Sequence, residues 1–225
     1  AHRSYLSDFY EGSFPGSFAQ GEPFQVNAAT GDMRISGSFA SLAGLEKARG
    51  SEQQQAALQR MLLGHALIAC FGGIPLIYMG DELALLNDAS YRDRADHAHD
   101  SRWLHRPVMD WARAEQRNQR ESVPGKAFGG LQHILARRRA TPGLHAGHPT
   151  RILTTGHDAV FAVQRLDPRG PILCLFNFAE EWRHIPGAWL RDQGVTLWHD
   201  ALSDRAVALH DDQLALPPFA RVWLT

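Results

Sequence analysis

The stretch Gly73-Ile74-Pro75-Leu76-Ile77-Tyr78-Met79-Gly80-Asp81-Glu82 decides how this chain is read. From Ile74 to Met79 apolar residues follow one another without alternation, then meet Gly80-Asp81-Glu82 and a long polar loop. An unbroken apolar run of this length is the pattern of a parallel strand covered on both faces. In barrels and open α/β sheets the C-terminal ends of such strands open onto the functional site. The loop that follows carries carboxylates, histidines and the element Asp100-Ser101-Arg102-Trp103. It is where chemistry is expected.

Upstream, Ser51 is a candidate N-cap with Gln54 three residues on. Ala57, Leu58, Met61, Leu62, His65, Ala66, Ile68 and Ala69 then mark the apolar face of a helix over Ser51 to Phe71. Gly72-Gly73 ends that helix, so helix and strand together read as half of a β/α unit. Downstream, Gly125 to Ala140 reads as a second helix with Phe128, Leu131, Ile134 and Leu135 inward, closed by Thr141-Pro142-Gly143. Residues 1 to about 50 are rich in Gly, Ser and Phe and read as loops, with one short helix expected over Ser38 to Lys47. A loop-rich stretch this long is usually functional. Beyond His145 the character changes. Ile152-Leu153, Val160 to Val163, Ile172 to Phe176, Val195 to Trp198, Ala206 to Leu209, Leu214 to Leu216 and Val222 to Leu224 are short β-rich runs parted by turns such as Pro186-Gly187. They predict a small antiparallel sandwich.

One strand cannot be a sheet. The first 145 residues therefore read as the last segment of a larger α/β domain, most simply a (β/α)8 TIM barrel of roughly 250 residues. The expected fold class is α/β: the C-terminal part of such a barrel, then an antiparallel β-sandwich. The expected divisions are 1–50, 51–145 and 146–225. The sequence opens Ala1-His2-Arg3 with neither initiator Met nor signal peptide, as expected of a processed chain or a piece of a longer one.

The composition is that of a globular protein: 225 residues, 44% hydrophobic, 21% charged, formal net charge −1. That balance supplies no basic field for nucleic acid or anionic lipid, and no apolar run approaches the ~20 residues needed to span a bilayer. Cys70 and Cys174 lie in apolar surroundings and read as two free buried thiols, which leans toward a reducing, cytoplasmic compartment. No cofactor motif is present.

The order of strand, Gly-Asp-Glu, long loop, Asp-x-Arg, helix and β-sandwich resembles the C-terminal portion of the α-amylase family of retaining glycoside hydrolases and transglycosidases. Gly12-Ser13-Phe14, Gly16-Ser17-Phe18-Ala19, Gly21-x-Pro23-Phe24-Gln25, Thr30-Gly31-Asp32-x-Arg34 and Asp100-Ser101-Arg102-Trp103-x-His105-Arg106-Pro107 are similar to amylosucrases and sucrose hydrolases. The resemblance implies that residues 1–50 are an insertion covering the active-site pocket, that Ile74 to Met79 is the eighth barrel strand, and that residues from about 146 form the C-terminal β-domain. It implies sucrose as donor and an α-glucan, glucose or water as acceptor, with the N-terminal remainder of the same polypeptide as partner. The family's catalytic carboxylates have no counterpart here, so no catalytic residue is assigned.

Asp81 and Glu82 are adjacent and point to opposite faces of an extended segment, which suits them poorly as a nucleophile and acid/base pair. Arg102 is the leading substrate-binding candidate, because a guanidinium fork bridges a sugar hydroxyl and a carboxylate at once. The resemblance places Arg3, Gln25 and Arg34 on the leaving-group and acceptor side of the pocket. Phe14, Phe18 and Phe24 could face sugar rings, though packing is the plainer reading. His97-Ala98-His99-Asp100 lacks the spacing of a metal site and reads as a solvated loop. Arg137-Arg138-Arg139 suits a helix C-terminus and its solvent face. At Gln20 the polymerising enzymes would carry Arg, and Ala28-Ala29 stands where they have Pro-Ser, which leaves glucan elongation and hydrolysis both open. The alternatives are a non-catalytic carbohydrate-binding module using Trp182, Trp189 and Trp198, and another α-glucosidase or a trehalose-forming enzyme of the same family.

Overall fold

A computed structural model describes residues 2–225. The chain divides into two compact units, Ala1–Met61 with Ile77–Gly129, and Leu62–Leu76 with Gly130–Thr225.

In the first unit, α1 (His2–Glu11) precedes a short antiparallel hairpin, β1 (Glu22–Phe24) and β2 (Arg34–Ser36), in register Glu22↔Ser36 to Phe24↔Arg34. Helix α2 (Phe39–Leu42) is capped by Ser38, whose hydroxyl accepts from Ser41 N. It is much shorter than the expected Ser38 to Lys47, because Gly44 takes φ +102°, outside the helical region, and the remaining residues form turns. Helix α3 (Ser51–Phe71) has the expected bounds, although Ile68 of its expected apolar face is 40% exposed. At its start the Gln53 side chain, rather than Gln54, reaches back to accept from Arg49 N. Its first half packs Ala57, Leu58 and Met61 against Ala40, Ala43, Leu45, Ala84 and Ala127. After several 3-10 turns come α4 (Trp111–Glu115), capped by Asp110, and α5 (Val123–Ala140).

The expected buried strand at Ile74 to Met79 does not form. The segment is extended but unpaired, with Ile74 91% and Leu76 75% exposed and Tyr78 and Met79 exposed as well. The reason is the absence of partners: a parallel strand needs ladder neighbours, and every strand pairing among the described residues is antiparallel and lies elsewhere.

The second unit is β-rich. Strands β3 (Thr150–Leu153), β4 (Val160–Arg165), β5 (Ile172–Asn177), β6 (Arg183–Pro186), β7 (His199–Asp200), β8 (Arg205–Ala206), β9 (Gln213–Leu216) and β10 (Arg221–Leu224) are joined by one short helix, α6 (Gly187–Asp192). They form a six-stranded antiparallel sheet in the order β3-β4-β5-β10-β7-β8 and a two-stranded sheet β6-β9. Ala162, Leu173, Leu175 and Leu224 of the large sheet meet Ile185, Leu214 and Leu216 of the small one and Leu190 of α6 in a single core. The strand expected at Val195 to Trp198 instead begins at His199, because Trp198 has left-handed φ +49°. The one expected at Ala206 to Leu209 stops at Ala206.

β5 is buried along its whole length. Leu173 and Leu175 enter the sandwich core, and alternation turns Ile172, Cys174 and Phe176 to the opposite face. On that face lies the end of α3. A helix leaves its last four carbonyls unsatisfied, and here side chains supply the donors. Arg138 of α5 donates to Ala69 O, Arg165 of β4 to Cys70 O at 2.9 Å, and Thr150 of β3 to Phe71 O at 2.5 Å. Two guanidinium groups at a helix C-terminus also oppose its negative dipole end. Arg137 and Arg138 are thus committed to protein carbonyls, Ala201 O for the former, rather than to solvent.

Candidate functional site

In the first unit the β1–β2 hairpin is bonded to the polar loop some 70 residues away. Glu22 accepts from Tyr91 Oη at 2.5 Å and pairs with Arg92, Ser101 Oγ donates to Pro23 O at 3.1 Å, and Ser36 Oγ meets His105 Nδ1 at 3.0 Å. Asn87 anchors the base of the same loop: its amide oxygen accepts from Ser38 N and its amide nitrogen donates to Gln20 O, both at 2.8 Å.

Between hairpin and loop lies a cleft of about 480 Å³, lined by residues 23–25, 91 and 98–102. Asp100 caps the 3-10 turn Ser101–His105 and forms a bidentate pair with Arg102, Nε to Oδ1 at 2.9 Å and Nη2 to Oδ2 at 2.7 Å. Those hydrogen bonds from Arg102, with one from its backbone N–H, hold the Asp100 carboxyl down at about 2. The Arg102 guanidinium lies 5.2 Å from the Phe24 ring centroid. Fixed on two sides, it keeps Nη1 free of protein partners among the described residues. The pair therefore offers preorganised donors beside an acceptor-only carboxylate, which matches the adjacent hydroxyls of a polyol.

The structure brings two of the four expected residues together. Gln25 and Arg102 line the cleft, with Gln25 at φ +52° where the chain leaves β1. Arg34 is exposed on β2 opposite Phe24, outside the cleft lining. Arg3 on α1 pairs with Asp32 at 3.3 Å. Tyr91 joins the lining without having been singled out, while His99 and Ser101 were read only within the 97–100 run and the Asp100-Ser101-Arg102-Trp103 element. The sequence signal for Tyr91 is the Asx cap of Asp88 before Ser90.

The phenylalanines pack against the protein. Phe14 meets the Tyr5 ring edge-on, Phe18 lies under the Arg60 guanidinium at 3.8 Å, and Phe24 carries Arg102. His97 stacks on Trp103, centroids 3.6 Å apart, and contacts Asp96. Among the described residues no cluster of three or more His, Cys, Asp or Glu could hold a metal ion. Asp81 sits in the 3-10 turn Asp81–Leu83; burial first, then the Glu82 charge, raises its pKa to about 6. Glu82 accepts from Gly80 N at 2.9 Å, so it holds the turn. In the second unit Trp189 and Trp198 pack on the sandwich core, while Trp182 is exposed. A larger concavity there, about 670 Å³, includes Ile74, Pro75, Leu135 and Leu144. Its mostly apolar wall belongs with the unpaired segment rather than with any chemistry. No helix among the described residues is long and apolar enough to cross a membrane.

Residues 150–225 match the family model described as the amylosucrase C-terminal domain. Among solved structures, AmyP in complex with maltotriose matches with TM-score 0.61 at 13% identity, over 82% of this chain and 37% of that one. Isomaltulose synthase from Erwinia rhapontici in complex with sucrose gives 0.54 at 18%, over 74% and 38%. The cyclic α-maltosyl-(1→6)-maltose hydrolase from Arthrobacter globiformis gives 0.54 at 17%, over 84% and 32%. This chain thus spans well under half the length of each of these structures. It shares their fold over that portion, and its residues 150–225 are similar to the amylosucrase C-terminal domain.

Proposed function

We propose that this chain is the C-terminal part of a sucrose-acting, α-retaining glucosyl-transfer enzyme of the α-amylase family, of amylosucrase or sucrose-hydrolase type. The observation that carries the reading is the Ile74–Met79 segment, an apolar strand sequence left exposed and unpaired just before the cleft-bearing loop. Its ladder partners come from polypeptide outside these residues and complete a barrel. Residues 1–50 then cover the pocket, 51–145 end the barrel, and 146–225 form the β-domain. The match of residues 150–225 and the shared fold support this assignment.

In that enzyme a carboxylate from the missing strands attacks the anomeric carbon while a second carboxyl protonates the departing fructosyl oxygen. Water or a glucan hydroxyl then displaces the carboxylate with retention. Within this chain Arg102, fixed by Asp100 and Phe24, hydrogen-bonds the glucosyl hydroxyls, and Gln25, Arg34 and Arg3 serve the leaving-group and acceptor side. Asp81 and Glu82 support the turn and take no part in bond cleavage.

The test is fructose release from sucrose. The chain alone should release none. The longer polypeptide that supplies the missing strands should release fructose together with glucose or an α-glucan. Turnover by the chain alone would overturn the division of the site, and a longer polypeptide inert on sucrose but active on maltose or trehalose would overturn the donor assignment.

A further inference from the structure

The β1–β2 hairpin is anchored from both ends of one rung of its ladder. Glu22 and Ser36 face each other in the register, and both side chains reach the polar loop of the same unit. The Glu22 carboxylate uses its two oxygens on two successive residues, Oε2 accepting from Tyr91 Oη at 2.5 Å and Oε1 from Arg92 Nη2. Ser36 Oγ meets His105 Nδ1 at 3.0 Å. The Glu22 side chain is 20% exposed and Tyr91 is buried, so the bond between them is enclosed, unlike an exposed ion pair.

Beyond that rung the chain runs straight into the cleft. Pro23, Phe24 and Gln25 follow Glu22 and line it, and Tyr91, held by Glu22, lines it too. The proline ring fixes φ at Pro23, and the Pro23 carbonyl accepts from Ser101 Oγ at 3.1 Å. The direction of the segment is therefore set at Glu22 and Pro23. Gln25 has φ +52°, a conformation that a non-glycine residue keeps only where its neighbours fix it. Arg102 has its own anchor, since Asp100 grips it with both carboxylate oxygens from two residues away. The guanidinium and the Gln25 segment are thus positioned separately, one by Asp100 and the other by Glu22.

We propose that Glu22 is a positioning residue for the leaving-group side of the cleft: by clasping Tyr91 and Arg92 it holds the Pro23–Gln25 segment in place, and so selects donors by their fructosyl half. This role rests on the carbohydrate reading above, in which Gln25 serves the departing group; the clasp itself does not. Alanine at position 22 removes the acceptor of both Tyr91 Oη and Arg92 Nη2, while the bonds of Ser101 and His105 keep the hairpin attached. Gln25 then relaxes from positive φ, and its amide leaves the place where fructosyl hydroxyls would meet it. Glutamine at position 22 keeps an acceptor for Tyr91 but loses the charge facing Arg92, so its effect lies between.

Two measurements separate the clasp from the function. The first treats the chain itself with tetranitromethane, which nitrates accessible phenolates. Tyr5, Tyr10 and Tyr78 are exposed, whereas Tyr91 is buried, and burial first, then Glu22, raises its phenol above the ordinary value. Peptide mass analysis should find Tyr91 spared in the wild type, nitrated in Glu22→Ala and partly nitrated in Glu22→Gln. Tyr91 nitrated in the wild type, or spared in Glu22→Ala, would overturn the clasp. The second measurement, in the longer polypeptide, compares sucrose with α-glucosyl fluoride, whose leaving group is a single atom. For Glu22→Ala, kcat/KM for sucrose should fall about 10-fold further than that for the fluoride, with a smaller difference for Glu22→Gln. Equal falls for both donors, or no fall, would overturn the positioning role. A wild-type polypeptide inert on sucrose would overturn the carbohydrate reading and this role with it, while the nitration pattern still decides the clasp.

Discussion

Replacing Arg165 with Met should destabilise the β-rich unit. The side chain is fully buried and donates three hydrogen bonds, to Cys70 O at 2.9 Å, His145 O at 2.6 Å and His148 O at 2.9 Å. Methionine fills much of the same volume but donates nothing. The Cys70 bond is buried and the other two are half-buried, so each carbonyl left without a partner costs about 1–3 kcal/mol, the half-buried pair toward the low end. Against this, the variant no longer desolvates a charge, a cost of several kcal/mol in the native protein. The difference is a net loss of about 3 kcal/mol. In a chain of 225 residues that corresponds to a Tm lower by about 6–12 °C. The assay is reversible thermal or urea unfolding followed by tryptophan emission, for which the fully buried Trp223 is a native-state reporter. Arg165→Lys should fall between, because one ammonium cannot span carbonyls from α3 and the 145–148 turn. If Arg165→Met shifted Tm by less than about 2–4 °C, roughly 1 kcal/mol, the claim that this side chain holds the end of α3 would be wrong.

The exposed apolar segment should drive self-association of the isolated chain. Ile74→Lys with Leu76→Lys should abolish a concentration-dependent increase in sedimentation coefficient, with the circular dichroism spectrum unchanged; persistence of the association would show that another surface is responsible. In the longer polypeptide, Arg102→Gln removes a charged donor worth about 1.5–3 kcal/mol, so kcat/KM for sucrose should fall by roughly 10–100-fold. An unchanged value would exclude Arg102 from the site. The raised pKa of Asp81, about 6 against an ordinary 3.8, means the folded state holds its proton more tightly. Stability is thus lost as pH rises from about 4 through 6, and Asp81→Asn should stabilise by about 1–2 kcal/mol above that window, after discount for partial exposure. A gain equal at pH 4 and pH 8 would contradict this. His65 runs the opposite way: burial lowers its pKa to about 4 from 6.5, so its contribution, present above pH 6.5, is lost as pH falls through 4. In the Asp81→Asn background the acid limb should therefore steepen over pH 4 to 6, and a flat limb would refute the His65 shift.

The legible parts of the fold are those whose environment is written locally. Helix α3 announces itself by an apolar face over six turns, and β5 by an unbroken run, since Ile172, Cys174 and Phe176 are covered on one side and Leu173 and Leu175 on the other. β6 and α6 were hidden because Pro186-Gly187 reads as a turn. Pro186 in fact ends the strand and opens the helix, and a Cβ at Gly187 would lie 2.3 Å from the Asp212 carboxylate, so a larger residue there would have to displace that side chain. In the cleft, Arg102 was legible because Asp100 frames it two residues away. Tyr91 was not, because its place is set by Glu22, 69 positions distant. Ile74–Met79 makes the same point from the other side. Its residues specify a strand enclosed on both faces as plainly as those of β5 do, yet they lie open to solvent. A hydrophobic run encodes the surroundings a segment requires, and only a partner can provide them. Where requirement and surroundings disagree this sharply in an otherwise well-packed chain, the disagreement supports the proposed pairing of this segment with further polypeptide.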